Sequence, residues 1–328
     1  MTYITIYEFK NELNLEKIIG PNSRYLHSIE DFYKEEIIIR GSEVKLKETT
    51  NNAKILALLF EVLETILRGR NNLSEMDLTS ILNSLNEDNK DEIINLYLNK
   101  EVLITTTTGK TIYPKSLNQK KYLDALEQNS IVFAVGPAGT GKTYLGVLYA
   151  IRKLKQGDIR KIVLVRPVVE AGEKLGFLPG DLKEKIDPYL VPLYDSLNEA
   201  LGKETVDKLM TKGVVEVAPL AYMRGRTLEN AIVILDEAQN STKVQMKMFL
   251  TRLGFGSKMI ITGDVSQIDL QNKHNSGMVE ALRILKNIKQ ISIVEFAKHD
   301  VMRHPLVQKI IERYDDKIET DLEEDNGN

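Results

Sequence analysis

The sequence predicts an α/β protein, a parallel sheet covered by helices on both faces, preceded by a small α+β module. Three observations predict it. From Pro114 onward, apolar runs of strand length alternate with longer segments of helical spacing, the pattern of parallel strands joined by crossover helices. One of those strands runs directly into a glycine-rich loop and then into a helix, the setting in which a phosphate-binding loop operates. Ahead of Pro114 the order is strand, helix, hairpin, helix, and at 328 residues the chain has room for two domains of about 150 residues.

Taken in order, Tyr3 to Phe9 alternates as a strand, and Arg24 to Tyr33 has helical spacing through Leu26, Ile29, Phe32 and Tyr33. Glu36 to Arg40 and Glu43 to Lys47 form a hairpin around the two-residue turn Gly41-Ser42. Asn51 or Asn52 caps a long helix whose apolar positions Ile55, Leu58, Leu59, Val62, Leu63 and Ile66 repeat at the 3.6-residue period, ending near Gly69. Two short helical segments follow, Glu75 to Leu85 and Asp91 to Leu98, then a Thr-rich hairpin from Val102 to Tyr113 turning at Gly109. Beyond Pro114 come strand Ile131 to Val135, helix Thr143 to Lys155 and strands Lys161 to Arg166 and Ala231 to Leu235. Helix Lys243 to Leu253 and strands Lys258 to Thr262 and Ile291 to Phe296 complete the pattern. The expected organisation is therefore a module and linker over 1–113, an α/β core over 114–315 and an acidic, disordered tail over 316–328.

Composition narrows the chemistry. There is no cysteine, which removes thiol nucleophiles, disulfides, thiolate zinc sites and iron–sulfur clusters together. Four histidines in no metal-binding spacing make a histidine-ligated metalloenzyme a poor fit. No run approaches the ~18 apolar residues of a spanning helix, and the N-terminus has no basic start followed by an apolar core, so no membrane role and a cytoplasmic location are expected. The net charge of -3 conceals an asymmetry, with residues 114–315 at +7 and the segments before and after them at -5 each. A basic middle permits a polyanionic partner without requiring one.

Gly136-Pro137-Ala138-Gly139-Thr140-Gly141-Lys142-Thr143 is a GxxxxGKT between an apolar strand and a helix. Its glycines let backbone N–H groups turn onto phosphate oxygens, the helix N-terminus adds its positive end, Lys142 reaches the β and γ phosphates and Thr143 ligates Mg²⁺. Ala231 to Leu235 ends in Asp236-Glu237, where an open α/β sheet places its ligand. Asp236 is expected to hold Mg²⁺ and Glu237 to polarise the attacking water, which favours hydrolysis over nucleotide binding alone. A third strand ends in Thr262-Gly263-Asp264-Val265-Ser266-Gln267, whose Gln267 either senses the γ-phosphate or belongs to an ordinary surface turn.

The motifs GPAGTGKT, VILDEAQN, TGDVSQIDL and VMRHPLV together resemble the PhoH family of P-loop ATPases, whose core is similar to a RecA-like domain of superfamily 1 helicases. The resemblance runs through about residues 114–315. It implies ATP hydrolysis linked to RNA, in bacterial RNA and ribosome metabolism. The chain has no nuclease-like carboxylate cluster, which excludes the PhoH type that carries a PIN nuclease. The N-terminal module resembles that of the branch that partners an endoribonuclease of rRNA maturation, and it is KH-like in its order of elements. A KH unit clamps nucleotides with a GXXG loop; Gly20-Pro21-Asn22-Ser23 stands there without the second glycine, so RNA contact and an acidic docking module both remain open.

Within this resemblance Gln119 occupies the place of an adenine-reading glutamine, with an exposed helix-start glutamine as its rival. Arg166, followed by Pro167 to Gly172, lies where this class contacts single strands. Arg224 and Arg226 flank Gly225 on a turn that either grips a phosphate backbone or is merely solvated. Arg303 either stabilises transition-state charge or forms a surface ion pair. A superfamily 1 motor closes two RecA-like domains on ATP and this chain has length for one, so a homo-oligomer, a ring such as a hexamer, is expected, with Arg303 or Arg224 acting in trans. The first functional expectation is a Mg²⁺-dependent ATPase coupled to single-stranded RNA binding or remodelling. The alternative is an ATP-gated adaptor that switches binding of a protein such as the endoribonuclease. A small-molecule kinase is disfavoured, because Asp236-Glu237 supplies a water activator and no substrate lid is evident.

Overall fold

The computed structural model describes residues 2–69, 72–167 and 182–302, together with Leu306, Val307, Ile310 and Arg313. Arg303, the stretch Val168 to Gly172 and the tail 316–328 lie outside the described residues.

The N-terminal module begins with β1 (Tyr3–Glu8), α1 (Glu12–Ile19) and α2 (Arg24–Tyr33), followed by β2 (Ile38–Arg40), β3 (Glu43–Lys47) and α3 (Ala53–Gly69). Its three strands form an antiparallel sheet in the order β1-β3-β2. The sequence reading anticipated these elements except α1, which has only eight residues and little room to display a period. The turn from α1 to α2 is Gly20-Pro21-Asn22-Ser23, with left-handed backbone at Gly20 (φ 75°), Asn22 (φ 52°) and Ser23 (φ 59°). A Cβ on Gly20 would meet the Tyr25 ring at 2.6 Å, so glycine is required there by space as well as by φ. Ser23 carries a conformation that disfavours L side chains by roughly 1 kcal/mol.

One face of α3, with Leu56, Leu59, Phe60 and Leu63, is wholly buried against the small sheet, α1 and α5 (Lys90–Leu98), and α4 (Glu75–Ser84) adds to the same hydrophobic core. Glu64 on the same helix is buried yet satisfied: it accepts from the Tyr7 hydroxyl at 2.6 Å and the Lys10 N–H at 2.9 Å, and pairs with Arg68 at 3.1 Å. Burial and the Glu64 carboxylate push the Tyr7 phenol above its usual value. The hydrophobic core of this region runs from Phe9 to Tyr97, whereas Leu103, Ile104 and Ile112 of the next hairpin, β4 (Ile104–Thr105) and β5 (Thr111–Ile112), belong to the core of the large sheet. The two cores therefore part between Tyr97 and Leu103.

A buried ion pair bridges them. Ser74 caps α4 in a reciprocal capping box with Asp77, and Asp77, 1% exposed, also pairs with Lys115 and accepts from the Tyr113 hydroxyl at 3.2 Å. Removing one member of such a pair strands the other, at a cost of about 3 kcal/mol. Asp77→Ala is expected to lower unfolding stability by about that amount in chemical denaturation, with the loss shared by both halves of the chain.

The main domain follows with α6 (Leu117–Gln128), β6 (Ile131–Val135), α7 (Lys142–Gln156), β7 (Lys161–Arg166), α8 (Leu182–Leu201), α9 (Lys203–Thr211) and β8 (Val215–Pro219). Then come β9 (Ala231–Leu235), α10 (Lys243–Leu250), β10 (Lys258–Gly263), α11 (Gly277–Ile284) and β11 (Ile291–Glu295). The strands form one parallel six-stranded sheet in the order β11-β6-β10-β9-β7-β8, with separate hydrophobic clusters on its two faces. This is the α/β architecture that the sequence predicts, a RecA-like core. The central strands are buried over most of their length: Val132, Phe133 and Ala134 of β6 and Val233 to Leu235 of β9 have no exposed surface. β8 was not anticipated, because Val-Glu-Val-Ala-Pro is short and carries a charge, Glu216, at its second position. Parallel pairing puts the C-terminal ends of β6, β10, β9 and β7 side by side at one edge of the sheet, and each of these ends carries one of the polar motifs.

Candidate nucleotide site

The loop after β6 is shaped by glycines that no other residue replaces easily. Gly136 has φ 143° and a Cβ there would lie 2.3 Å from the Phe296 carbonyl oxygen; Gly139 and Gly141 have φ 85° and 81°, and Gly141 starts α7. The loop is tied from outside as well, since Gly136 N–H donates to Gly263 O at 3.1 Å and Met302 N–H donates to Gly139 O at 2.9 Å. Lys142 is 7% exposed and lies along the loop, its ammonium donating to the carbonyls of Gly136 and Pro137 at 2.7 Å each. Burial pulls this ammonium below its usual pKa, while Asp264, Glu237 and Asp236 pull it back up. A buried cation at the N-terminus of a 15-residue helix suits a polyanion, and the three carboxylates nearby suit a divalent cation that would accompany it.

Asp236 at the end of β9 is the point of convergence: its Oδ1 accepts from Thr143 Oγ1 at 2.6 Å and from Thr262 Oγ1 at 2.9 Å. Three neighbouring segments, the P-loop helix, β9 and β10, thus meet on one carboxylate oxygen. Glu237 stands next to it with left-handed backbone (φ 51°), a strained conformation that the surroundings hold in place. Its Oε2 accepts from Gln239 Nε2 at 2.6 Å and its Oε1 faces Arg166 at 3.6 Å. Gln239, 1% exposed, also donates to Gln267 O and accepts from the Asp264 N–H, each at 3.1 Å, which wires Glu237 to the loop after β10. Asp264 accepts from Ser266 through Oδ1, while its buried Oδ2 has no partner among the described residues. A cavity of about 330 Å³ lies between these groups, and Lys142, Thr143, Asp236, Glu237 and Asp264 all face it.

The structure brings together Gly136 to Thr143, Asp236, Glu237 and Gln267, the last exposed on the rim of the cavity. It also brings Arg166 into that cavity, anchored by donation to Tyr189 O at 3.0 Å. Gln119 is buried beside the P-loop, its Oε1 accepting from the Lys115 N–H at 2.7 Å and its Nε2 donating to Thr140 O at 3.1 Å, so it is not an exposed helix-start residue. Arg224 is exposed, whereas Arg226 is engaged by both oxygens of Glu216, at 2.6 and 2.8 Å. Thr262, Gln239 and Asp264 were not singled out from the sequence. The signal for them was available, since each stands within four residues of a chosen motif end, but their convergence on Asp236 and Glu237 depends on which strands are neighbours.

The Glu216 carboxyl is held down at about 2 by Arg226 and Lys161, against an ordinary 4.5. A carboxylate depressed in the folded state stabilises above its unfolded pKa and loses that contribution as pH falls through the folded one. The wild type is expected to lose stability between pH 4.5 and 2 from this group, and Glu216→Gln to show a flatter acid limb in that window.

A parallel sheet with a P-loop on one strand and an Asp-Glu pair on another, joined through shared hydroxyls, defines a P-loop protein of the nucleotide-hydrolysing class. The family model for PhoH-like protein matches residues 111–315, and the chain belongs to that family. A "PhoH-like protein" of Bacillus subtilis (strain 168) is 48% identical over 308 residues, covering 94% of this chain and 96% of the relative. One from Mycobacterium tuberculosis (strain ATCC 25618 / H37Rv) is 47% identical over 298 residues, covering 90% and 84%. "Protein PhoH" of Escherichia coli (strain K12) is 46% identical over 198 residues, 60% of this chain and 56% of its own. Among solved structures, the large terminase of a thermophilic bacteriophage in complex with ADP is similar at a TM-score of 0.35 and 11% identity, covering 60% of this chain and 49% of the terminase. That likeness is too slight to bear on function. Among the described residues no helix is long and apolar enough to cross a membrane.

Proposed function

We propose that the protein is a Mg²⁺-dependent ATPase that couples hydrolysis to binding or remodelling single-stranded RNA in bacterial RNA and ribosome metabolism. The observation that carries the hydrolytic part is the meeting of Thr143, Thr262 and Asp236 beside Glu237. That donor set is hard and oxygen-only, and with the unpartnered Oδ2 of Asp264 in the same cavity it fits Mg²⁺. Thr143 and Asp236 would hold the ion, which supplies charge neutralisation at the phosphates. Lys142 binds the β and γ phosphates, Glu237 orients and deprotonates water, and Gln239 fixes the carboxylate that does so.

RNA is favoured by the N-terminal module, whose Gly20–Ser23 turn joins two helices beside a three-stranded sheet, and whose Ser23 keeps the left-handed backbone of a glycine position. The exposed Arg224 is the candidate phosphate contact in the core, with Arg166 and Arg226 engaged internally. We place the protein in the cytoplasm as a homo-oligomeric ring, in which Arg303 or Arg224 of one subunit reaches the next subunit's ATP.

The test is the steady-state ATPase rate with and without single-stranded RNA at low and high salt. Stimulation that weakens with salt supports RNA coupling. ATP-dependent affinity for a protein partner such as an endoribonuclease, with no RNA stimulation, would replace it with the adaptor reading.

A further inference from the structure

After β11 the chain runs back along the phosphate loop as a strap, from Phe296 to Met302. Its first residue is fixed to β6, Phe296 N–H donating to Val135 O at 2.7 Å, and its carbonyl oxygen stands where a side chain on Gly136 would be. Its last residue reaches the middle of the loop, where Met302 N–H donates to Gly139 O at 2.9 Å. A peptide unit is planar and trans, so holding the Gly139 carbonyl toward the strap turns the Thr140 N–H away from it.

Between these two contacts stands Asp300, 1% exposed. Its Oδ1 accepts from Ser116 Oγ at 2.7 Å. Its Oδ2 accepts from Asn118 Nδ2 at 2.7 Å and from the Ala297 N–H at 2.9 Å, with His299 Nε2 at 3.8 Å. A buried carboxylate is costly unless donors meet its oxygens. Here the donors come from two places, the strap itself and the N-cap and first turn of α6, so one side chain ties the two together. The start of α6 is held in turn from the N-terminal half. Lys115 O accepts from Ser80 Oγ of α4 at 2.7 Å and from the Tyr97 hydroxyl of α5 at 2.9 Å, and α4 packs directly against Lys298 to Asp300.

We infer that Asp300 is a positioning residue of the ATPase: it locks the strap onto α6 and so sets the backbone of the phosphate loop through the Met302–Gly139 bond, with α4 and α5 as the support behind it. The inference rests on the ATPase reading above. It gives the N-terminal half a part in phosphate binding through hydrogen bonds rather than through contact with the ligand. Ground state and transition state both keep their phosphates on the loop, so loss of the lock weakens both alike, raising KM while largely sparing kcat. A merely structural acid behaves differently: its loss lowers the number of active molecules, and those that remain keep the wild-type KM.

The experiment uses the full chain with two probes, ATP and inorganic tripolyphosphate, each with Mg²⁺; the second tests the loop without a nucleoside. Asp300→Ala removes all three bonds. Asp300→Asn keeps the volume, since its Oδ1 accepts from Asn118 and Ala297 while the Ser116 hydroxyl, turned round, accepts from its Nδ2. Met302→Pro deletes the N–H that holds Gly139 and leaves the bonds of Asp300 in place. Val301, at φ −69° and ψ 119°, already has the extended backbone that precedes a proline. Asp300→Ala and Met302→Pro are each expected to weaken tripolyphosphate and to raise KM for ATP about tenfold, the worth of one hydrogen bond, with kcat within about threefold of wild type. Asp300→Asn is expected to recover most of the affinity. The double variant of Asp300→Ala with Met302→Pro should be no weaker than the worse single one, because both act through one bond. Wild-type tripolyphosphate affinity in either single variant, losses that add in the double variant, or a fall in kcat at unchanged KM would overturn the lock. Should Asp300→Ala not fold, Met302→Pro decides by the same two readings. A wild type that binds neither probe would sink the ATPase reading itself, and with it this inference.

Discussion

Glu237→Gln is expected to lower kcat by about 10²- to 10⁴-fold while leaving ATP affinity within a few fold of wild type. Binding rests on Lys142, the glycine loop and the helix N-terminus, none of which touches Glu237 by a direct hydrogen bond. Hydrolysis needs a base on the attacking water, and Glu237, unlike Asp236, is not committed to hydroxyls of the P-loop helix and β10, while Gln239 holds its carboxylate in place beside Asp236. Gln keeps the side-chain volume, and its carbonyl oxygen still accepts from Gln239 Nε2, so the strained backbone at φ 51° has the same supports. The remaining change is loss of basicity. Steady-state turnover measured beside direct ATP binding separates the two quantities; a variant that turns over at the wild-type rate would show that Glu237 is not the base.

Much of the site was legible in the sequence because each part is local. A strand, a glycine loop and a helix in succession fix where Gly136 to Thr143 must lie, and an apolar strand ending in two acids fixes Asp236 and Glu237. What was not legible is the order of strands. That β10 inserts between β6 and β9 is a long-range fact, and it alone brings Thr262 onto Asp236, Gln239 onto the Asp264 N–H, and Gly263 O onto Gly136 N–H. Gln119 shows the same limit from the other side: its position near the P-loop was anticipated, but the partners that occupy its amide come from Lys115 and Thr140, and nothing in the local spacing announces them. In the N-terminal module, long periodic helices such as α3 were readable. The eight-residue α1 was not, for want of length, and in the main domain α8, α9, α11 and the edge strand β8 went unread, β8 because Glu216 interrupts an apolar run to meet Arg226 and Lys161.

Arg166→Ala is expected to reduce the basal, RNA-independent kcat by about 10²- to 10³-fold, the range found when one preorganised donor to developing charge is removed. Sequence alone places Arg166 in a strand-contacting loop, where its loss would spare basal turnover and abolish only stimulation by RNA. The structure turns it inward: NH1 is held by Tyr189 O at 3.0 Å, NH2 faces Glu237 Oε1 at 3.6 Å, and the guanidinium lines the cavity that contains Lys142 and Asp236. A cation fixed at one end by a backbone carbonyl costs little reorganisation when phosphate charge develops at the other. Arg166→Lys should recover little of the rate, because one ammonium cannot hold the Tyr189 carbonyl and the Glu237 carboxylate in the two directions that the planar fork spans. The same substitution bears on Glu237, which keeps its bond from Gln239 but loses its neighbouring cation. Measuring basal and RNA-stimulated rates on both variants decides between the placements, since a normal basal rate with lost stimulation would return Arg166 to the nucleic acid, whereas loss of both puts it on the nucleotide.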